Sequence, residues 1–278
     1  MDNVTLKRTI HVSFVPDEEI GGTEGMAAFV KSKEFKQLNV GFALDEGGAN
    51  VADAFSLAYG EKSRWGMRIH CSGQPGHGSL LLDNTAGEKV MKILDRFYDL
   101  REQEKRKLDN DLSLNFGDVT AINLTVVEGG VQDNVIPSEF VLSFDCRIAI
   151  TVDLEEFEKT LNKWCEEAGE GVWIEYESKQ PQIPVTKLDE TNPFWMAFKK
   201  SFDYMNLELQ PLINPGASDV RYLRAIGIPA LGFSPINRTP ILAHAHNEYL
   251  NKNVFLRGID IYYKIIPALA NVDQISNQ

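Results

Sequence analysis

The order of strand-like and helix-like segments changes twice along this chain, and that change constrains the fold more than any other feature. Before about Gly60 and after Pro181, apolar strands alternate with amphipathic helices, which is typical of an α/β domain. Between them the order becomes strand, helix, strand, strand, helix, strand, the split βαβ pattern of a two-layer, ferredoxin-like α+β domain. We therefore expect residues 1–59 and 181–278 to form one α/β domain, partly built on a parallel sheet, and residues 60–180 to form a domain inserted into it.

Individual elements follow from periodicity and capping residues. Thr23 is predicted to cap a short helix, and Ser218 is predicted to cap another. The predicted strands are 9–15, 39–44, 63–72, 121–127, 139–148, 172–177 and 228–233, and the predicted longer helices are 85–107, 154–167, 194–205 and 253–269.

Composition excludes several classes of function. The chain carries 28 lysines and arginines against 40 aspartates and glutamates, a formal charge of −12, which argues against a nucleic acid or an anionic membrane as partner. No segment approaches the ~18 apolar residues of a membrane span, and the first residues lack the apolar core of a signal peptide. The three cysteines include no Cys-x-x-Cys pair, so we expect buried, reduced thiols in a cytoplasmic protein.

Acidic pairs follow the first two predicted strands. Glu18 and Glu19 come after residues 9–15, and Glu46 comes after residues 39–44. Where two parallel strands end at the same sheet edge, such carboxylates can bind a divalent metal, and one of them can take a proton from the water that the metal activates. A solvated acidic loop is the alternative for an isolated Glu-Glu pair. Gly21 and Gly22 argue against a plain surface turn, because ordering glycine costs more conformational entropy than ordering other residues.

Histidine and arginine side chains offer further candidates. His244 and His246 lie in a loop after a predicted strand, where an imidazole is either a metal ligand or a surface group. His77 lies in a loop with three glycines and a proline. Arg147 and Arg221 could each bind a substrate carboxylate or form an intramolecular ion pair. The chain has no Gly-x-Ser-x-Gly elbow and no phosphate-binding glycine motif, so covalent and nucleotide chemistry are poorly supported.

Seven motifs together resemble the aminoacylase and carboxypeptidase family of dinuclear zinc hydrolases. They occur in the family's order over nearly the whole chain: Phe-Val-Pro-Asp-Glu-Glu-Ile-Gly-Gly (14–22), Ala-Leu-Asp-Glu-Gly (43–47), Gly-Gln-Pro-Gly-His-Gly-Ser (73–79), Asn-Val-Ile-Pro (134–137), Phe-Asp-Cys-Arg (144–147), Gly-Phe-Ser-Pro (232–235) and His-Ala-His-Asn-Glu (244–248). The resemblance implies hydrolysis of N-acyl-L-amino acids, or of a dipeptide or carboxypeptidase substrate, with two zinc ions as cofactor. It also implies a homodimer formed through the inserted domain, which would act as a lid.

The same resemblance implies roles for individual residues. Glu18 would be the general base, and His77 of one subunit would polarise the scissile carbonyl in the other. The implied metal ligands are Glu19, Glu46 and His244, and the implied substrate contacts are Asn134, Arg147, Arg221 and, more weakly, Ser218.

The resemblance also implies an incomplete metal site. The family's His-x-Asp motif and its metal-bridging aspartate precede the Glu-Glu pair, whereas here only Met1–Arg8 precede the first predicted strand, and His-x-Asp occurs nowhere in the chain. The missing segment amounts to roughly 100 residues at ~30 per βαβ unit. We therefore expect impaired activity, with an inactive form that dimerises with full-length chains as the alternative.

Overall fold

The computed structural model describes residues 5–273 and contains ten strands and seven α-helices in that part of the chain. The strands are β1 (Ala43–Asp45), β2 (Phe55–Glu61), β3 (Ser63–Ser72), β4 (Gly76–His77), β5 (Ala121–Gly129), β6 (Val135–Ile136), β7 (Glu139–Ile148), β8 (Val172–Lys179), β9 (Leu209–Asn214) and β10 (Ala230–Phe233). The helices are α1 (Met26–Phe29), α2 (Lys33–Leu38), α3 (Ala86–Asn110), α4 (Leu154–Ala168), α5 (Pro193–Met205), α6 (Val220–Ala225) and α7 (Lys252–Ala270). A single 3₁₀ turn covers Glu18–Ile20.

The chain forms two compact units. The first contains the described residues up to Glu61 and those from Ile183 onward, and the second is Lys62–Gln182. The α/β class with an α+β insertion, expected from the order of elements, is confirmed.

The first unit is built on a four-stranded sheet in the order β1-β10-β2-β9. The pairs β1–β10 and β2–β9 are parallel, but β10 and β2 run antiparallel, so the sheet is mixed rather than wholly parallel. Phenylalanines of α5 and of the sheet pack against each other in its core, with Phe198 and Phe233 in edge-to-face contact.

Three expectations for this unit are wrong. Residues 9–15 form no strand, because a strand needs a hydrogen-bonded neighbour and none of the described strands pairs with them; Phe14 is 92% exposed. Thr23 does not cap α1, whose N-cap is Gly25. Ser218 does not cap α6, which starts after Asp219 without a side-chain cap.

The second unit is a sheet in the order β5-β7-β3-β8 whose neighbours all pair antiparallel, with α3 and α4 packed on it. This is the split βαβ arrangement that the sequence pattern predicts. Thr85 caps α3 in a capping box with Glu88. All three cysteines are free and buried, as expected, and burial raises the pKa of the Cys71 thiol to about 11.

None of the helices between residues 5 and 273 combines the length and the apolar character that crossing a membrane requires.

Candidate metal and catalytic site

The Glu18–Glu19 pair lies in a tight turn that an aspartate holds together. Asp17 has a left-handed backbone, with φ of 61°, and its carboxylate accepts hydrogen bonds from the backbone N–H groups of Glu24 at 2.8 Å and Gly25 at 2.9 Å. Asp17 thereby ties the turn to the residues that lead into α1. Gly21 also has positive φ, at 111°, a conformation that glycine adopts without strain. The two glutamates therefore sit on a backbone of defined shape.

Two side chains of α6, Arg221 and Tyr222, also hold this turn. The carbonyl oxygen of Gly21 accepts a hydrogen bond from Arg221 Nη2 at 2.5 Å and another from the Tyr222 hydroxyl at 2.5 Å. Arg221 Nη2 also lies 3.1 Å from the Tyr222 hydroxyl, and its guanidinium stacks over the Tyr222 ring. Arg221, a candidate substrate contact, is thus engaged in holding the turn.

Glu18 and Glu46 share an electrostatic environment. Partial burial raises the pKa of Glu18, and the charges of Glu46, Glu19 and Asp219 raise it further. Burial likewise raises the pKa of Glu46, with contributions from Asp45 and Glu19. Each carboxyl is therefore harder to ionise because the others are near, a repulsion that a bound cation would relieve.

His244 lies beside Glu19. Its Nε2 is 3.7 Å from Glu19 Oε2, and both side chains are about three-quarters exposed. His244 has a left-handed backbone, with φ of 65°. The structure thus brings together an imidazole and a carboxylate that are more than 200 residues apart in the sequence.

Two aspartates near this turn, the buried Asp219 and the half-buried Asp45, have carboxylate oxygens without a hydrogen-bond partner among the described residues. Asp219 is 4% exposed and both of its carboxylate oxygens are unsatisfied, as is Asp45 Oδ2. A Cβ atom added at Gly22 would lie 2.2 Å from Asp219 Oδ1, so Asp219 packs directly on the turn. Burial and the Asp45 charge raise the pKa of Asp219. Asp219 was not predicted as a site residue, and its only signal in the sequence is an acidic residue between Ser218 and Arg221.

The donor atoms match a zinc ion in kind but not in number. Carboxylate oxygens and an imidazole are ligands that zinc accepts, and unsatisfied buried carboxylates are typical of a place that binds a cation. Within residues 5–273, however, no three histidine, cysteine, aspartate or glutamate side chains lie close enough together to hold a metal ion. The described chain therefore provides an incomplete ligand set.

A buried ion pair supports the segment that precedes α6. Glu61 and Arg224 are both 3% exposed at their side chains, and Arg224 Nη2 donates to Glu61 Oε1. The other Glu61 oxygen accepts the backbone N–H of Ser218 at 3.1 Å. This pair fixes Ser218 and the start of α6, and hence the side chains that bind Gly21.

The remaining candidates lie in the second unit. β4, which contains His77, pairs with β6, and the Gly78 N–H donates to the Asn134 carbonyl oxygen at 2.8 Å, so His77 and Asn134 belong to neighbouring segments. His77 is exposed, with Nδ1 at 2.8 Å from the Ser79 hydroxyl. Arg147 donates from Nε to Asp145 at 2.8 Å, the intramolecular ion pair that the sequence leaves open.

The chain is similar to one family model and to several curated proteins. Residues 59–172 match the family model of a peptidase dimerisation domain. Human aminoacylase-1 is 51% identical over 265 residues, which are 95% of this chain and 65% of that protein. Aminoacylase-1 of Dictyostelium discoideum is 44% identical over 280 residues, 96% of this chain and 68% of that protein.

A solved structure shares the fold at lower identity. The M20 family metallo-carboxypeptidase Sso-CP2 from Sulfolobus solfataricus superposes with a TM-score of 0.58 at 18% identity, covering 91% of this chain and 67% of that one. The chain spans about two thirds of the length of the curated relatives it matches. With identities near one half over almost all of its residues, the chain belongs to the aminoacylase-1 family.

Proposed function

We propose that this chain carries the general base and part of the metal site of a zinc-dependent amidohydrolase that cleaves N-acyl-L-amino acids to a carboxylate and a free L-amino acid. The observation that carries the proposal is the Glu18–Glu19 turn, which α6 holds through Gly21 and which has His244 beside it. The names of the relatives support the substrate class, and membership of a family with metallo-carboxypeptidase neighbours supports metal dependence.

Glu18 moves the proton in this reaction. It accepts a proton from the water whose oxygen bonds to the acyl carbon, and it passes that proton to the amine nitrogen as the C–N bond breaks. Glu19, Glu46 and His244 are the proposed zinc ligands. Because the described chain does not complete a ligand set, we expect the activity of this chain alone to be impaired.

The second unit and α6 supply the remaining proposed roles. His77 polarises the scissile carbonyl in the site of a second subunit. Asn134, Arg147, Arg221 and Ser218 contact the substrate near its carboxylate. For Arg221 this contact would use guanidinium nitrogens other than the Nη2 that binds Gly21, since Arg has five donors.

The match to a peptidase dimerisation domain supports a homodimer formed through the inserted domain, which we place at residues 60–180, with residues 1–59 and 181–278 forming the catalytic domain. The acidic charge supports a small-molecule substrate rather than a nucleic acid. We place the protein in the cytoplasm. The incomplete ligand set favours one second candidate, an inactive form that dimerises with full-length chains.

Hydrolysis rates on N-acetyl-L-methionine and on an unacylated dipeptide, measured with added zinc, test the proposal. We expect slow, zinc-dependent release of methionine from the acylated substrate, and its loss in the Glu18→Gln variant. Faster cleavage of the dipeptide would indicate a dipeptidase instead. Equal rates for wild type and Glu18→Gln would contradict the role of Glu18. Complete inactivity of the wild type on both substrates would favour the inactive form.

A further inference from the structure

Two arginines lie directly opposite each other on adjacent strands of the second unit. Arg64 of β3 and Arg147 of β7 are register partners in an antiparallel pair, so their side chains leave the same face of the sheet. The residues next to them, Trp65 and Cys146, point to the other face and pack in the core with α3 and α4. Arg64 is therefore a neighbour of Arg147 on the face of the sheet that the two helices do not cover.

One aspartate holds both arginines through the same kind of nitrogen. Asp145 Oδ1 accepts a hydrogen bond from Arg64 Nε at 2.9 Å, and Asp145 Oδ2 accepts one from Arg147 Nε at 2.8 Å. Burial raises the pKa of the Asp145 carboxyl, but the hydrogen bonds from Arg147 and Arg64 outweigh burial and leave that pKa below its usual value. Asp145 is therefore ionised at neutral pH and bridges the two guanidinium groups.

The outer nitrogens of both guanidinium groups are not engaged. An arginine has five N–H donors, of which the bond to Asp145 uses only the one on Nε. Among residues 5–273, neither Arg64 nor Arg147 makes a hydrogen bond or an ion pair through Nη1 or Nη2. The side chain of Arg64 is 47% exposed and that of Arg147 is 30% exposed. Both arginines can therefore donate to a ligand without releasing Asp145.

The charges of these three side chains do not cancel. Like charges directly opposite each other on neighbouring strands repel, and Asp145 compensates only one of the two guanidinium charges. The residue paired with Arg147 on its other side, in β5, is Ala121, which carries no charge. A single carboxylate would compensate the remaining positive charge and accept hydrogen bonds from the outer nitrogens, the pairing that the planar fork of arginine suits best.

We propose that Arg64 is a second residue that binds the carboxylate of the N-acyl-amino acid, as one of two guanidinium groups linked by Asp145. The proposal rests on the substrate contact proposed for Arg147, and it adds a residue that none of the seven family-like motifs contains. Arg64 acts on specificity, because a ligand with a free carboxylate would bind more tightly than the same ligand with a neutral carboxamide. Proton transfer stays with Glu18.

Two matched variants test the role of Arg64. Arg64→Met removes the guanidinium and keeps an unbranched side chain. Arg96→Met is the control, because Arg96 of α3 is 52% exposed and also donates to one carboxylate, that of Glu167, at 3.0 Å. Each change thus removes one positive charge and one ion pair from the second unit. The ligands are N-acetyl-L-methionine and its carboxamide, titrated into the whole chain with a metal chelator present so that no hydrolysis competes. Ligand-observed NMR gives each Kd.

We expect the wild type and Arg96→Met to prefer N-acetyl-L-methionine over its carboxamide to the same degree. Arg64→Met should bind N-acetyl-L-methionine about fivefold more weakly and the carboxamide with unchanged Kd. Equal weakening by the two variants would overturn the proposal, since the effect would then come from overall charge. So would equal affinity of the wild type for the two ligands, no detectable binding by the wild type, or loss of both ligands in Arg64→Met.

This test and the test of the proposed function fail separately. A chain that shows the Arg64-dependent preference but no hydrolysis dependent on Glu18 would contradict the proposed function and leave the role of Arg64 in place. Hydrolysis that depends on Glu18, together with unchanged binding of N-acetyl-L-methionine by Arg64→Met, would contradict the role of Arg64 alone.

Discussion

The Arg221 guanidinium donates a hydrogen bond to the carbonyl oxygen of Gly21, 200 residues earlier in the chain, at 2.5 Å. Tyr222, the next residue of α6, donates to the same oxygen. The backbone that presents Glu18 and Glu19 is therefore held by α6, a helix from a distant part of the sequence. A change that destabilises α6 would for this reason also displace the two glutamates.

Because Arg221 and Tyr222 donate to the same carbonyl oxygen, we expect their contributions to the free energy of unfolding to be coupled. Tyr222→Phe removes one donor but leaves Arg221, so we expect a loss of about 1 kcal/mol in the free energy of unfolding, and Arg221→Met should behave similarly. The double variant leaves the Gly21 carbonyl without either donor and should lose more than the sum of the two single changes. Urea unfolding of the four proteins measures this. Losses that add within about 0.3 kcal/mol would show that the two donors do not act on one oxygen.

The buried pair Glu61–Arg224 makes a second prediction. Arg224→Met leaves the Glu61 carboxylate buried without its cation and should cost about 3–5 kcal/mol in the free energy of unfolding at neutral pH. Adding Glu61→Gln removes the charge and keeps an oxygen for the Ser218 N–H, so the double variant should recover most of that loss. Thermal unfolding measured at neutral pH distinguishes the two variants. A double variant as unstable as Arg224→Met would mean that the other contacts of the arginine, including its hydrogen bond to the Ala230 carbonyl oxygen, and not the charge of Glu61, cause the loss.

Much of the fold follows from local signals. Strands β3 and β7 have the bounds that alternation predicts, and α4 and α5 each differ from the predicted range by one residue. Helix α4 begins as predicted after Asp153 and ends one residue later, whereas α5 begins one residue earlier, at Pro193. Strands β2 and β9 were not predicted. β9 contains Pro211, which an edge strand tolerates but which obscures the pattern.

The roles of Glu18, Glu19, Glu46 and His244 remain predictions, whereas the residues that hold their turn in place were not predicted. Glu18, Glu19 and Glu46 stand out because they are acidic residues in turns next to paired glycines, and His244 stands out because it lies in a loop after a strand. Asp219, Tyr222 and the Glu61–Arg224 pair act through contacts between residues more than 150 positions apart, which no local pattern reveals. The strand expected at residues 9–15 fails for a related reason, since strands depend on a partner that the sequence alone does not name.

The burial of Lys62 predicts that the free energy of unfolding depends on pH in the alkaline range. Lys62 is 4% exposed, and burial lowers the pKa of its ammonium from 10.5 to about 8. Between these values the unfolded chain binds more protons than the folded one, so the Lys62 contribution to the free energy of unfolding rises with pH across pH 8 to 10.5. Relative to Lys62→Met, the wild type should gain up to about 3 kcal/mol across that window. Chemical unfolding of both proteins at several pH values measures the difference; a constant difference would show that Lys62 keeps its ordinary pKa.

The zinc content of the purified chain tests most directly the account of Glu18, Glu19, Glu46 and His244 as part of an incomplete metal site. Elemental analysis after gel filtration and extensive dialysis gives the number of zinc ions per chain. Because no three candidate ligands of the described chain converge, we predict well below one tightly held zinc per chain. Two zinc ions per chain would contradict the account, since residues here treated as structural would then have to complete the site.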